Sequence, residues 1–282
     1  MSSKGYSFAG VTSDRPLLMG VVNVTPDSFS DGGQFSSLEE AVGFGRSLAL
    51  QGASILDIGG ESTRPGAASV TIEQEIARAI PVVRALAADG LCVSIDTRHA
   101  PVMRAALEAG ASIINDVSAL EGDPDSLAVA AGSRASVVLM HMRGTPATMQ
   151  DHPAYEDAPQ EIFLYLAGRI EACLSAGILR ERICVDPGIG FGKTLRHNVD
   201  LLAHLDLFHK LGVPVLLGVS RKSLIAALSR NEPPQDRLAG SIAAALAGIA
   251  RGAQILRVHD VAETAQAVAV WHAINQAASQ EG

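Results

Sequence analysis

Cysteine is scarce. Cys92, Cys173 and Cys184 are the three present in 282 residues, and no two share a metal-ligand spacing. That excludes a cysteine-built metal centre, and two of the three fall in apolar strand-like runs that suit a core in a reducing compartment. Positive charge is also short: 22 basic residues face 30 acidic ones, for a net charge of -8. A broad nucleic-acid-binding face is therefore excluded, and any bound anion must be held by local cations rather than by the overall field. The first ten residues lack an apolar signal core. The alanine-rich run 238–250 is interrupted by Gly240, Ser241 and Gly248, so it reads as a packed helix and not a membrane span. A cytoplasmic protein is expected. No linker or shift in composition divides the chain, so residues 1–282 are expected to form one domain, with 1–14 covering its underside.

What is present is repetition. Eight short, nearly continuous apolar runs occupy 17–22, 54–58, 92–95, 112–114, 136–140, 183–185, 215–219 and 254–258. Runs without alternation mark strands buried on both faces, as in parallel sheets. Helical spacing fills the gaps. Ser37 with Glu40, and Thr71 with Gln74, have the spacing of capping boxes, and Pro101 and Pro124 open the third and fourth helices. Helices are expected at 156–176, 198–209, 220–228 with 237–251, and 261–279. Strand and helix repeated eight times in this length predicts a single (β/α)8 TIM barrel with its active site at the C-terminal strand ends. An open doubly wound sheet would want a glycine fingerprint after the first strand, where this chain has Asn23-Val-Thr-Pro-Asp27.

Polar residues stand at all eight strand ends: Asn23, Asp57 with Glu61 to Arg64, Asp96, Asn115 with Asp116, His141, Asp186, Ser220 to Ser223, and Arg257 with His259 and Asp260. Packing alone does not ask for this. Local structural roles suit three of them better than chemistry: a loop cap for Asp57, a turn for Asp116 and a helix N-cap for Asp260. The others sort by chemistry. Asp96, Asn115, Asp186 and Lys222 suit a flat heterocycle with several N–H donors and a carbonyl, because buried polar groups demand partners. Arg64, Arg257 and His259 are cations for a phosphate or diphosphate. Asn23 and Asp31 are oxygen donors of the kind magnesium prefers.

Two motifs are discounted. Gly188-Ile-Gly-Phe-Gly-Lys193-Thr194 looks like a P-loop but is one residue short and has Pro187 where glycine is needed. It reads as a flexible loop carrying Phe191 into the mouth. Lys222 could be a Schiff-base lysine, but Asp186 nearby would keep it charged.

Taken in order, Met19-Gly-Val-Val-Asn-Val-Thr-Pro-Asp-Ser-Phe-Ser-Asp-Gly-Gly33, Asp57-Ile-Gly-Gly-Glu-Ser-Thr-Arg-Pro-Gly66, Ser94-Ile-Asp-Thr97, Ile114-Asn-Asp116, Met140-His-Met142, Asp186-Pro-Gly-Ile-Gly-Phe-Gly-Lys193, Ser220-Arg-Lys-Ser223 and Arg257-Val-His-Asp260 closely resemble the dihydropteroate synthase family of folate biosynthesis. The departures are Ile189, where a second phenylalanine often lies, and Arg143, whose charge beside the mouth has no assigned role. The resemblance implies condensation of (7,8-dihydropterin-6-yl)methyl diphosphate with 4-aminobenzoate, magnesium as cofactor, a homodimer, and sulfonamides as competitors. It implies pterin contacts at Asp96, Asn115, Asp186, Lys222 and Met140, and diphosphate contacts at Thr63, Arg64, Arg257 and His259. It further implies an aminobenzoate site of Phe29, Pro65, Phe191, Arg221 and Ser223, and metal ligation by Asn23 with Asp31. Arg64, Lys222, Arg257 and His259 would carry the catalytic charge. A corrinoid-dependent methyltransferase would share the pterin groups but would not need a diphosphate grip. A non-catalytic pterin-binding paralogue and a class I aldolase are the remaining alternatives.

Overall fold

The computed structural model describes residues 5–24, 37–61, 70–145, 148–149 and 151–280. A two-stranded hairpin, β1 (Tyr6–Phe8) and β2 (Val11–Ser13), precedes the barrel. The barrel strands are β3 (Leu17–Asn23), β4 (Ile55–Gly59), β5 (Val93–Asp96), β6 (Ile113–Asp116), β7 (Ser136–Met140), β8 (Ile183–Asp186), β9 (Leu216–Leu217) and β10 (Ile255–Val258). All are parallel, in the order β8-β7-β6-β5-β4-β3-β10-β9, and a bridge between Val185 and Val215 brings β8 against the β9 edge. The fold is the (β/α)8 barrel expected from the apolar runs. The seventh run is the exception: of 215–219 only two residues form regular strand, and a turn at Ser220 and Arg221 follows, closed by the Lys222 N–H on the Val219 carbonyl at 3.2 Å.

Helices α1 (Leu38–Leu50), α2 (Ile72–Ala88), α3 (Ala100–Glu108), α4 (Ser126–Ala131), α5 (Ala158–Ser175), α6 (Leu195–Ala203), α7 (Ser223–Leu228), α8 (Leu238–Ala250) and α9 (Val261–Gln280) surround the sheet. Their starts follow local chemistry. Thr71 Oγ1 accepts the Gln74 N–H at 3.3 Å, and the Gln74 side chain accepts the Thr71 N–H at 3.1 Å, so two orphan donors are satisfied together. Ser37 caps α1 through the Glu40 N–H at 3.2 Å. The stretch expected as one helix over 198–209 starts earlier, at Leu195, and changes to a 3₁₀ turn from Leu205. None of the described helices is long and apolar enough to cross a membrane.

Two apolar layers result. The outer one lies between sheet and helices, as Leu56, Ile58, Ile95 and Ile114 meet Val83, Leu86 and Met103. The inner one fills the lower lumen: Leu17, Met19, Ile55, Ile113, Val138, Cys184, Leu216 and Ile255, closed from beneath by Phe8 of the hairpin. Side chains alternate along a strand, so two residues beyond these floor positions the next inward side chain appears. Those next positions are Asp57, Asn115, Met140, Asp186, Gly218 and Arg257, with Asp96 following Ser94 on β5. One register thus sets an apolar floor under a charged cup.

Phe8 is 2% exposed. Phe8→Ala should lower the free energy of unfolding by about 3 kcal/mol through the cavity it leaves. Urea unfolding checks this, and a loss below about 1 kcal/mol would mean the ring does not seal the floor.

Candidate active site

The cup is organised by a guanidinium. Arg257 Nε donates to Asp57 Oδ2 at 2.6 Å and Nη2 donates to Asp96 Oδ2 at 2.7 Å, so one β10 side chain spans to β4 and β5. Asn115 Nδ2 donates to the same Asp57 oxygen at 3.0 Å. Asp57 is fully buried and its Oδ1 has no hydrogen-bond partner. The loop cap expected for Asp57 is therefore replaced by a place inside the cup. The signal in the sequence is a carboxylate in an otherwise apolar strand, Ile-Leu-Asp-Ile-Gly, in register with the inward-facing floor residue Ile55.

The opposite wall is Asp186 and Lys222. Asp186 Oδ1 accepts the Gly188 N–H at 2.7 Å. A β-carbon built on Gly218 would lie 3.7 Å from Lys222 Nζ, 3.8 Å from Asp186 Oδ2 and 3.9 Å from Arg257 Cβ. A residue with a side chain there would enter the space these three groups share. Lys222 Nζ also donates to the Ile189 carbonyl and lies 4.7 Å from the centre of the Phe191 ring. Met140, buried at the end of β7, is in register with Asp186. Asp96, Asn115, Met140, Asp186 and Lys222 thus stand at or just past the C-terminal ends of five successive barrel strands, β5 to β9.

Charge in the cup is set by burial. Asp96 is pushed up to about 7, chiefly by loss of water, with Arg257 pulling the other way and the Asp57 charge adding to the rise. Asp186 is also raised by burial, against Lys222 and the Gly188 N–H. Lys222 is lowered to about 8: burial outweighs the attraction of Asp186, and Arg257 adds repulsion. Lys222 accordingly remains mostly protonated at neutral pH, with Asp186 opposing the loss of its charge as read from the sequence. Arg257 stays charged at any working pH, because Asp57 and Asp96 override the burial that opposes it.

The remaining expected residues distribute unevenly. His259 directly follows β10, where its ring Nδ1 lies 3.1 Å from Ser220 Oγ and its N–H donates to the same oxygen at 3.2 Å. Arg221 has φ 59°, with its N–H on Ser241 Oγ at 2.9 Å, and its guanidinium pairs with Asp260 through Nε at 3.0 Å. Asp260 serves as that partner rather than only as the start of α9. Ser223 is exposed at the first residue of α7. Asp116 organises a turn as expected, accepting from the Ser118 N–H at 2.7 Å and the Leu120 N–H at 2.9 Å. Asn23 ends β3, and a β-carbon on Gly59 would lie 3.4 Å from its Oδ1 and 3.8 Å from Asp96 Oδ2, so hard oxygen donors face a common space. Phe29, Asp31, Thr63, Arg64 and Pro65 lie outside the described residues.

A second set of ligand-type atoms, from Glu61, Glu75 and His99, gathers within 4.8 Å. Each already has a side-chain partner: Glu61 meets Arg98 at 3.3 Å, and Glu75 lies 2.8 Å from His99 Nδ1. They tie the end of β4 to α2 and to the start of α3.

Comparison with known proteins places this arrangement. Residues 19–259 match the family model described as "Pterin binding enzyme", and the chain belongs to that class. The dihydropteroate synthase of Escherichia coli strain K12 is 48% identical over 257 residues, covering 91% of this chain and 90% of the relative. The Yersinia pestis dihydropteroate synthase, solved with a sulfonamide drug complex, superimposes with a TM-score of 0.91 at 45% identity, covering 96% of this chain and 99% of that one. The Xanthomonas albilineans dihydropteroate synthase in complex with 7,8-dihydropteroate gives 0.84 at 45% identity over 97% and 99%. Within the pterin-binding enzymes, the chain is a member of the dihydropteroate synthase family.

A site of this charge pattern has a defined pH response. A flat heterocycle with N–H donors would need ionised Asp96, which deprotonates as pH rises through about 7, and its carbonyl would need protonated Lys222, which is lost above about 8. Affinity for a neutral dihydropterin should therefore climb to a maximum between those values and decline on both sides. Calorimetric titration across neutral to mildly alkaline pH checks it, and a flat profile would contradict the assignment.

Proposed function

We propose that this chain joins (7,8-dihydropterin-6-yl)methyl diphosphate to 4-aminobenzoate, releasing diphosphate and forming 7,8-dihydropteroate. One observation carries the reading. Arg257, clamped between Asp57 and Asp96, shares the space at Gly218 with Asp186 and Lys222, so acceptors for a flat ring and cations for its leaving group occupy a single cup. The 7,8-dihydropteroate held by the Xanthomonas albilineans relative contains both halves of that product in one molecule. The sulfonamide carried by the Yersinia pestis relative supports sulfonamides as competitors for the aminobenzoate position.

The ring's N–H groups are met by Asp96 and Asp186, and Lys222 donates to its carbonyl. Asn115 is fixed by its bond to Asp57. A ligand lacking this donor pattern would strand buried carboxylates, which is the basis of selectivity. The reaction is a dissociative substitution at the pterin methylene. Electron density from the dihydropterin ring assists departure of the C–O electron pair with diphosphate. The arylamine nitrogen then forms the new C–N bond, and its proton passes to water or to the released diphosphate. Arg257 and His259 face the developing negative charge, with Arg64 and Thr63 assigned to the same anion, while the two carboxylates favour the cationic ring. No strong base is required, because the amine is already a neutral nucleophile.

Magnesium is the proposed cofactor. The oxygen donors of Asn23 fit it, with Asp31 as second ligand, and when bound it would neutralise phosphate oxygens. Phe29, Pro65 and Phe191 are assigned as walls of the aminobenzoate site, and Arg221 with Ser223 as its carboxylate anchor. A cytoplasmic homodimer completes the reading. Val270 and Ile274, one turn apart on α9 and 57% and 65% exposed, offer apolar surface that a second copy would cover.

Two substitutions separate recognition from chemistry. Asp186→Asn replaces an acceptor by a donor against the ring and should weaken pterin binding by roughly a hundredfold; unchanged affinity in calorimetry would remove the recognition model. Arg257→Ala should reduce kcat by roughly a thousandfold while affinity for a pterin lacking diphosphate falls far less. Equal losses in the two measurements would take Arg257 out of its leaving-group role.

A further inference from the structure

The loop between β8 and α6 contains a lysine that the reaction does not use. We infer that Lys193 is a positioning residue: through a three-point clasp on His141 and Phe191 it fixes the Phe191 ring as a wall of the aminobenzoate site. The inference rests on the reading under Proposed function, which places aminobenzoate against Phe191.

Lys193 is 3% exposed. Its Nζ donates to the Phe191 carbonyl at 2.9 Å and to the His141 carbonyl at 3.2 Å, and it lies 3.0 Å from His141 Nδ1. Three protein partners surround the nitrogen, and no N–H remains for a phosphate. That separates this lysine from the P-loop lysine it resembles in sequence. His141 follows β7, so the clasp ties the end of one barrel strand to the loop after the next. Burial, with Lys193 adjacent, lowers the His141 ring to about 3, which keeps it neutral at any working pH. Burial pushes Lys193 well below its ordinary value, against the attraction of Asp186, and an amine buried this deeply is tolerable only when its hydrogen bonds are made. A buried lysine so fully satisfied is an expensive fastener, and what it fastens is the backbone of Phe191.

The rest of the loop is held to match. Where the sequence predicts a flexible segment, the Gly188 N–H donates to Asp186, the Gly190 N–H to Asn198 Oδ1 at 2.7 Å, and the Phe191 N–H to the Gly188 carbonyl at 3.1 Å. Gly188 has φ 71°, and a β-carbon on it would fall 1.9 Å from the His141 carbonyl, so only glycine lets the loop press against the clasp. Tyr155 Oη donates to the Gly192 carbonyl at 2.9 Å. The Tyr155 ring is itself held by the Arg143 guanidinium, 4.6 Å from its centre, and by the edge of His197 at 5.0 Å. Arg143, which the sequence leaves without a role, thus belongs to the outer side of the same fastening. On the inner side, the Phe191 ring faces Lys222 Nζ in the cup.

The test is a double-mutant cycle on the full-length enzyme, with Lys193→Met, Phe191→Ala and their combination. Lys193→Met and Phe191→Ala should each raise KM for 4-aminobenzoate about tenfold, with calorimetric affinity for a diphosphate-free dihydropterin changed less than about twofold. The double variant should be no worse than the more impaired single one, since both remove the same wall. A multiplicative loss of about a hundredfold, or pterin affinity falling in step, would overturn the clasp. If Phe191→Ala raises KM and Lys193→Met does not, the clasp alone is wrong. If Phe191→Ala leaves KM unchanged, the placement of aminobenzoate falls and the clasp with it. Should Lys193→Met fail to fold, Tyr155→Phe removes only the donor to Gly192 and should raise the same KM about threefold; an unchanged KM would count against the inference.

Discussion

Arg257 held between Asp57 and Asp96 is the contact on which the architecture turns. A guanidinium in a barrel lumen is tolerable only if carboxylates surround it, and carboxylates there are tolerable only if something cationic or hydrogen-bonding meets them. Asp57 satisfies Asn115 and Arg257 through one oxygen, which leaves Asn115 oriented and Arg257 upright. The site is therefore charged and rigid before any ligand arrives. Preorganisation of this kind is what makes a dissociative mechanism plausible in physical terms, because no dipole has to rotate while the C–O bond breaks.

The apolar floor makes that arrangement possible. Strand alternation places Ile55, Ile113, Cys184 and Ile255 below Asp57, Asn115, Asp186 and Arg257 in turn. The floor excludes water from below, so the polar layer answers only to its own members and to what enters from the mouth. Desolvation is accordingly the leading cause of the shifts at Asp96, Asp186 and Lys222. The same low dielectric that raises the two acids strengthens each hydrogen bond they can offer a ring.

Much of this was legible in residue order alone. Eight unalternating apolar runs, each ending in a polar residue, are enough to fix a parallel barrel and its mouth, and the motif blocks point to a family. Three features were not. Asp57 looks like a turn residue because its partner, Arg257, lies 200 positions away. Lys193 and His141 are 52 residues apart, and a lysine after glycines suggests a phosphate loop until its three acceptors are seen. Arg221, assigned to a carboxylate anchor, also pairs with Asp260, 39 residues on, which its local sequence does not show. In each case the missing information is a contact between strand ends, which local pattern does not encode.

The shortness of β9 has its own consequence. Only Leu216 and Leu217 form regular strand there, and a lone bridge from Val185 to Val215 joins it to β8. Few backbone bonds must break along this line, so it is the stave along which the cask would first part. Asp186 and Lys222 sit at the upper ends of its two sides. Their attraction across the gap acts as a clip, and a bound heterocycle that bridges both would draw the stave shut, making occupancy and closure of the wall one event.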